Sequence, residues 1–157
     1  MEIGLNQPAL TDAMGKQVLG EIKVSQRYPM MTSIAKFNPS PDWFSGFFSF
    51  DLRQQTDDPS HPLQWYKAFT IETFPWTAGT MTGGSYNDSG AERNPRRRIS
   101  RFTVPNPPAS GAFLNEGRTI VHPVARWSCE LVMRTSTSSR GETTTTYFRG
   151  NGDLDFP

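Results

Sequence analysis

Few residues in this chain could carry nucleophilic or metal chemistry, and their spacing favours neither. It contains one cysteine, Cys129, and two histidines, His61 and His122, each followed by a proline that biases the histidine toward extended backbone. Cys129 occupies an apolar position of a predicted strand, so we expect a buried and unreactive thiol. The sequence has no zinc ligand set, no Gly-x-Ser-x-Gly nucleophile motif and no phosphate-binding glycine loop followed by a helix. It therefore predicts a protein that is not an enzyme and holds no cofactor.

A run of arginines is the main charged feature of an otherwise balanced chain. The run comprises Arg93, Arg96, Arg97, Arg98 and Arg101. With 16 basic and 15 acidic residues, the net charge of +1 gives no overall attraction for nucleic acid or anionic lipid. Arginine is enriched at protein interfaces, so we expect the run to bind a partner protein with an acidic or polyanionic surface. A solvated loop is the alternative.

One N-glycosylation acceptor triplet is present, at Asn87-Asp88-Ser89. A single triplet arises readily by chance in a chain of this length, so Asn87 is a candidate only. The first residues show neither a basic opening nor an apolar run, so we expect no targeting leader among them. No apolar stretch approaches the ~20 residues of a transmembrane helix, and no transmembrane segment is predicted.

Short strands are predicted to position these residues. Alternating apolar residues place Phe44, Gly46, Phe48, Phe50 and Leu52 on one core-facing side of a strand, with Phe47 as the exception. A second alternating series is Ala125, Trp127, Cys129, Leu131 and Met133. Further strands are predicted at residues 18–24, 34–37, 65–74, 99–104, 120–121 and 143–149, with a hairpin closed by residues 136–141. Thirteen glycines and thirteen prolines leave little room for helices, so the pattern predicts an antiparallel β-sandwich.

Two proline-led segments carry a resemblance to a known family. The first reads Asn38-Pro39-Ser40-Pro41-Asp42-Trp43-Phe44, and the second reads Phe74-Pro75-Trp76-Thr77-Ala78-Gly79-Thr80-Met81-Thr82-Gly83. Together with the flanking residues 29–34, 99–103 and 122–126, they resemble the spondin domain, an N-terminal-region module of F-spondin and related matrix proteins. The resemblance covers roughly residues 21–131. It implies an eight-stranded antiparallel sandwich, similar to calcium- and phospholipid-binding sandwich domains, and a non-catalytic adhesion or matrix function.

The resemblance also implies a calcium position that this chain has altered. Several family members hold one calcium ion through three aspartates in end loops, and those positions fall on Asp42, Thr77 and Met81. Calcium takes six to eight oxygen ligands, whereas Thr77 offers a neutral hydroxyl and Met81 a thioether. We therefore expect calcium binding to be weak or absent, with Asp88 as a possible substitute ligand. The alternative for Asp42 is a structural role, in which its carboxylate caps the turn by accepting backbone N–H groups.

A further departure concerns the residue after the strand that ends at Leu52. Family members often carry a cysteine there, whereas this chain has Arg53. The loss of a disulfide partner at this position is consistent with a compartment or assembly in which disulfide bonds are not needed.

These observations combine into one predicted organisation. We expect an arm at residues 1–15, a spondin-like sandwich at residues 16–150 and a tail at residues 151–157. The predicted function is an extracellular, secreted binding module of the matrix or adhesion type, with specificity in the end loops at residues 38–43, 76–92 and 105–117. The alternative is a small accessory subunit of a larger complex, located in an organelle lumen and associated with a membrane.

Overall fold

The fold is built entirely from antiparallel strands. A computed structural model describes residues 16–85, 87–88, 90–138 and 141–154, with side chains described for 20–85, 87–88, 90–132 and 148–150. Within these residues there is no helix, and every strand pairing is antiparallel. The prediction of an all-β antiparallel fold is confirmed. The predicted N-terminal arm lies outside the described residues.

The described part of the chain contains ten strands. In order they are β1 (Lys16–Val24), β2 (Met30–Lys36), β3 (Trp43–Asp51), β4 (Arg53–Gln55), β5 (Leu63–Trp65), β6 (Ala68–Thr73), β7 (Pro75–Thr77), β8 (Ser100–Arg101), β9 (Ala125–Ser138) and β10 (Gly141–Leu154). One four-stranded sheet has the order β1-β10-β9-β6, and the other has the order β2-β3-β7-β8. These two sheets contain the eight strands that the resemblance implies. The β4–β5 pair adds a small ribbon.

The core lies between the two four-stranded sheets. At one end, Val24, Met31, Leu52, Cys129 and Phe148 form a buried cluster with contributions from both sheets. The Phe47 ring from β3 meets Trp127 of β9 edge-on, with ring centroids 5.7 Å apart. A second cluster at the other end gathers buried residues of β3 and β9 with the loops around them: Phe37, Trp43, Phe102, Phe113, Val121, Val124 and Ala125. Aromatic rings thus pack between the two sheets. Each ring buries a large apolar area and so contributes strongly to the core.

The alternation of β3 is interrupted by an irregularity that the sequence pattern did not show. Phe44, Gly46 and Phe48 were predicted to face the core, but in this part of β3 the buried residues are Trp43 and Ser45. Phe48 is 83% exposed, while Phe47 packs in the core. The pairing register with β2 shifts between Met31 and Ser33, and Ser49 opposite has a positive φ of 50°. An extra residue on one strand reverses the side-chain alternation, so Phe47 and Phe50 both point inward although they are three residues apart.

Other strands differ from the predictions mainly in their boundaries. The predicted strand 65–74 is divided between β5 and β6, and β4 and β7 were not predicted as strands. Residues 120–121 form only an isolated bridge, between Leu114 and Val121. The predicted C-terminal hairpin is confirmed as β9 and β10, and β10 continues to Leu154, four residues into the segment assigned to the tail. In β9, Ala125, Trp127 and Cys129 are buried as predicted, whereas the Met133 side chain lies outside the described part.

Candidate functional site

The two proline-led segments meet at the same end of the sandwich. β3 begins at Trp43 and β7 ends at Thr77, and these two residues are partners in the register of the two strands. The carbonyl of Asp42 accepts a hydrogen bond from the Ala78 N–H at 2.8 Å. The corner that precedes Trp43 is therefore fixed directly against the loop that follows Thr77.

The first corner is held by a buried serine. Ser40 is 2% exposed, and its hydroxyl accepts the N–H of Trp43 at 3.1 Å. The N–H of Phe37 bonds to the Trp43 carbonyl at 3.0 Å and closes the loop behind it. The Trp43 ring then packs edge-on against Phe102 and Phe113. Asp42 is consequently carried on a rigid support.

The carboxylate of Asp42 is surrounded by hydrogen-bond donors from the second segment. Its Oδ1 accepts the Thr80 N–H at 2.8 Å, the Thr80 hydroxyl at 2.5 Å and the Met81 N–H at 3.2 Å. Its Oδ2 accepts the Gly79 N–H at 3.3 Å and the hydroxyl of Thr77. Asp42 is only 5% exposed, so these five hydrogen bonds replace the water that its charge has lost. The carboxylate therefore organises residues 77–81 around itself.

Two opposing effects act on the pKa of Asp42. Burial is the largest single effect and raises the pKa, because it penalises the charged form. Hydrogen bonds from Thr77, Thr80 and Gly79 act in the opposite direction and together prevail, so the pKa lies below its ordinary value of 3.8. Asp42 is thus a stable anion at the base of the loop.

The loop after Thr77 runs antiparallel to the segment that carries the arginines. The Arg93 N–H bonds to the Thr80 carbonyl at 2.7 Å, and the Arg97 N–H bonds to the Gly79 carbonyl at 2.9 Å. Gly79 has a φ of +74°, and a Cβ there would overlap the carbonyl oxygen of Arg97. Only glycine allows this close approach at that backbone conformation. The arginine segment is consequently fixed beside Asp42.

The structure divides the five arginines into different environments. The Arg93 Nε donates to the Met81 carbonyl at 2.5 Å, and Arg96 forms an exposed salt bridge with Glu92 at 2.8 Å. Arg101 places its guanidinium 3.6 Å from the centroid of the Phe74 ring. Arg97 and Arg98 are exposed, and neither makes a salt bridge to any side chain that the structure describes. The run is therefore not one uniform patch.

A cleft of about 400 Å³ opens between these loops. Its lining includes Asp42 and Trp43 from the first segment, residues 77, 79 and 81–84 from the second, and Arg93, Arg97 and Arg98 from the arginine run. The loop at residues 106–109 also lines it, and the Ser110 N–H bonds to the Gly84 carbonyl at 2.9 Å. The charged residues of its lining are three arginines and one aspartate. We call this feature the end cleft.

The three positions that the resemblance relates to calcium do come together. Thr77 and Met81 both bond to Asp42, through a hydroxyl and a backbone N–H respectively. Asp88 does not line the end cleft, and its Oδ1 accepts the Gly90 N–H at 2.8 Å within its own turn. Across the described side chains, no group of three or more His, Cys, Asp or Glu is arranged to hold a metal.

The remaining candidate residues lie away from the base of the cleft. Asn87 is exposed in the loop that contains Gly83, Gly84 and Gly90, where a glycan would have access. Cys129 is 4% exposed, and burial raises the pKa of its thiol to about 11, so the predicted buried thiol is confirmed. Arg53 forms a two-point salt bridge with Asp51, with nitrogen–oxygen distances of 3.0 and 2.9 Å. An ionic contact therefore occupies the position where the resemblance implies a cysteine.

Sequence reasoning missed several residues of the site. Thr80 was not singled out, although it donates two of the five hydrogen bonds to Asp42. Ser100 and Asn106 line the end cleft, although the first was placed only in a predicted strand and the second only in a long predicted end loop. No local pattern marks these residues, because they reach the site through contacts between distant parts of the chain. Thr77 had been considered only as a lost ligand, whereas its hydroxyl is a donor.

Comparison with known proteins identifies the family of this chain. The family model described as Spondin_N matches residues 3–123. The chain belongs to the spondin N-terminal domain family. Human Spondin-2 is 26% identical over 121 residues, which cover 76% of this chain and 34% of that protein. Spondin-1 from Xenopus laevis and from Gallus gallus are 29% and 30% identical over 114 residues, covering 73% of this chain and 13% of each relative.

These comparisons establish a spondin-type extracellular module. Spondin-1 and Spondin-2 are secreted matrix proteins, which supports the predicted extracellular location. The chain covers about a third of the length of Spondin-2 and about an eighth of the length of Spondin-1. No solved structure gave a significant match. No helix among the described residues is long and apolar enough to cross a membrane.

Proposed function

We propose that this spondin domain is a non-catalytic binding module that contacts a partner protein through the loops around the end cleft. The single observation that carries the proposal is the cleft itself, where Arg97 and Arg98 are exposed beside a rigidly supported loop. Arginine combines charge with a planar, directional set of donors and is favoured at interfaces. Loops on a fixed sandwich can vary without disturbing the core, so specificity would lie there.

Reversing the charge beside the cleft should weaken partner binding. We expect the triple variant Arg96→Glu, Arg97→Glu and Arg98→Glu to lower partner recovery by at least about tenfold, because like charges at an interface oppose association. The measurement is a pull-down from the native source with the partner quantified by mass spectrometry. The matched control changes Lys23, Arg27 and Lys67 to Glu, since these exposed residues lie toward the other end of the strands. Equal recovery by the two triple variants would contradict the proposal.

We also propose that the spondin domain does not use calcium at this end. Both oxygens of Asp42 already accept hydrogen bonds from five protein donors, and the three backbone N–H groups among them direct positive dipoles toward the position a cation would take. The Arg93 Nε donates a hydrogen bond to the Met81 carbonyl oxygen, which would otherwise be available as a calcium ligand. Calcium requires six to eight oxygens and compensating negative charge. The residues present therefore do not fit the ion that the resemblance implies.

Isothermal titration with calcium should detect no site tighter than about 100 μM, the strong end of the range for weak extracellular modules. The expected result is the same heat of injection for the wild-type domain and for the variant Asp88→Asn. Binding tighter than this limit would overturn the proposal. Loss of such binding in Asp88→Asn would identify Asp88 as the substitute ligand.

A second candidate function is that of an accessory subunit packed permanently against a larger assembly, including one in an organelle lumen. The observation that favours it is a set of apolar side chains on the outer face of β2 and β3. Phe48, Ile34 and Met30 are 83%, 65% and 58% exposed. Co-purification with a membrane complex in fixed stoichiometry would support this candidate, whereas a glycan on Asn87 would support the secreted module.

A further inference from the structure

The charge of the end cleft is the reverse of what the family resemblance implies. Of the three positions that the resemblance relates to calcium, only Asp42 carries a carboxylate, and its oxygens already accept hydrogen bonds from residues 77–81. Arg93, Arg97 and Arg98 line the same cleft. Asp42 makes no salt bridge with Arg97 or Arg98, and both arginines are exposed to solvent at the cleft.

We propose that the end cleft binds an acidic peptide segment of the partner protein, with a carboxylate held by Arg97 and Arg98. This inference rests on the proposed function in placing the partner at this end of the sandwich. The guanidinium group presents paired N–H donors that match the two oxygens of a carboxylate, and such charge-assisted pairs are strong and directional. Arg93 contributes positive charge but has its Nε bound to the Met81 carbonyl, so it positions the wall of the cleft.

The distribution of charge favours a peptide over a sulfated glycan. A linear polyanion is tracked by an extended basic surface, but here Arg96 is paired with Glu92 and Arg101 lies over Phe74. Within the arginine run, Arg97 and Arg98 make no salt bridge to a described side chain and both line the end cleft, and the net charge of the chain is only +1. Met81, Pro107 and Pro108 add apolar walls to the cleft. A pocket that combines apolar walls with a few directed polar groups is typical of a site for a discrete ligand.

The size of the cleft is consistent with one or two side chains. Its volume of about 400 Å³ lies within the range of ligand pockets, roughly 300–1,000 Å³. The backbone beneath the arginines is fixed, because the Arg97 N–H is bound to the Gly79 carbonyl. Binding would therefore order mainly the two arginine side chains, which limits the conformational entropy that is lost.

The test uses a fluorescent hexaglutamate peptide as the probe and fluorescence anisotropy as the measurement. We expect wild-type protein to bind it with a dissociation constant below about 1 mM, and the double variant Arg97→Gln, Arg98→Gln to weaken binding by at least about tenfold. The matched control Arg96→Gln lies in the same run but outside the cleft lining, and should change binding by less than about twofold. A hexaglutamine peptide should not bind, and thermal unfolding should show that all variants are folded.

Three results would overturn the inference. The first is no binding of hexaglutamate by wild-type protein at about 1 mM. The second is an equal loss of binding in Arg96→Gln and the double variant, which would indicate general charge attraction. The third is tighter binding of a heparin hexasaccharide through Arg97 and Arg98, which would assign the cleft to a glycan. Failure here differs from failure of the proposed function: a native partner still captured by the double variant would refute the acidic-peptide site but leave partner binding intact.

Discussion

Replacing Asp42 with asparagine is expected to lower the free energy of unfolding by about 3 kcal/mol or more, because hydrogen bonds to a charged group contribute about 1.5–3 kcal/mol each. The carboxylate accepts five hydrogen bonds through two oxygens. An asparagine keeps one oxygen and presents an NH₂ group to donors that need an acceptor. A loss of this size is a large part of the 5–15 kcal/mol that typically stabilises a domain.

The loss should depend on pH in a direction set by the pKa of Asp42. The pKa is lower in the folded protein than its ordinary value of 3.8, so the folded state favours the charged form. The stabilisation is therefore fully present above the unfolded pKa and is lost as the pH falls through the folded pKa. The stability difference between wild type and Asp42→Asn should shrink as the pH is lowered from about 6 to about 2.

Urea unfolding followed by tryptophan fluorescence measures both effects. The control is Asp88→Asn, which alters an exposed carboxylate with one hydrogen bond to its own turn, and should change stability by less than about 1 kcal/mol. If Asp42→Asn and Asp88→Asn destabilise equally, the Asp42 network does not hold this end of the sandwich. A stability difference that grows toward low pH would contradict the proposed charge state.

Gly46→Ala is expected to destabilise the domain by about 3 kcal/mol or more, at the upper end of the cost of overpacking. Gly46 lies opposite Ile34 in the pairing of β3 with β2. A Cβ at Gly46 would overlap the carbonyl oxygen of Ser33 and lie 2.9 Å from the Cα of Ile34. These are backbone atoms, so no side-chain rotation relieves the clash, and β2 must move away from β3. That movement would separate Met31 and Phe47, which both pack in the core.

Gly117→Ala provides the matched control for this variant. A Cβ at Gly117 would meet nothing closer than the Asn115 Nδ2 at 3.6 Å, which is ordinary van der Waals contact. We expect this variant to be neutral or stabilised by up to about 1 kcal/mol, because alanine restricts the unfolded chain more than glycine does. The urea midpoints of the two variants are compared. A Gly46→Ala variant that fails to fold while Gly117→Ala folds would also support the prediction. Equal stability of the two variants would show that β2 and β3 tolerate separation.

Much of the fold follows from local patterns in the chain. Alternation in residues 125–131 predicted β9 correctly, because apolar side chains two residues apart share one face of a strand. The proline-led corners were informative because proline restricts both itself and the residue before it. β3 shows the limit of such reasoning. The irregularity at Ser49 reverses the side-chain alternation, so Phe48 is on the surface rather than in the core. A bulge depends on the partner strand, so alternation within one strand does not reveal it.

The candidate site divides in the same way. The amino-acid sequence by itself determined that Thr77 and Met81, at positions that the resemblance relates to calcium, are not carboxylates, and that arginines are concentrated at residues 93–101. Only the tertiary structure decided that Thr77, Thr80 and the N–H groups of residues 79–81 surround Asp42, and that Arg97 and Arg98 line the cleft above it while Arg96 does not. The physical reason is that side-chain identity is local. By contrast, which donor meets which acceptor depends on strand register and loop contacts between residues far apart in the chain.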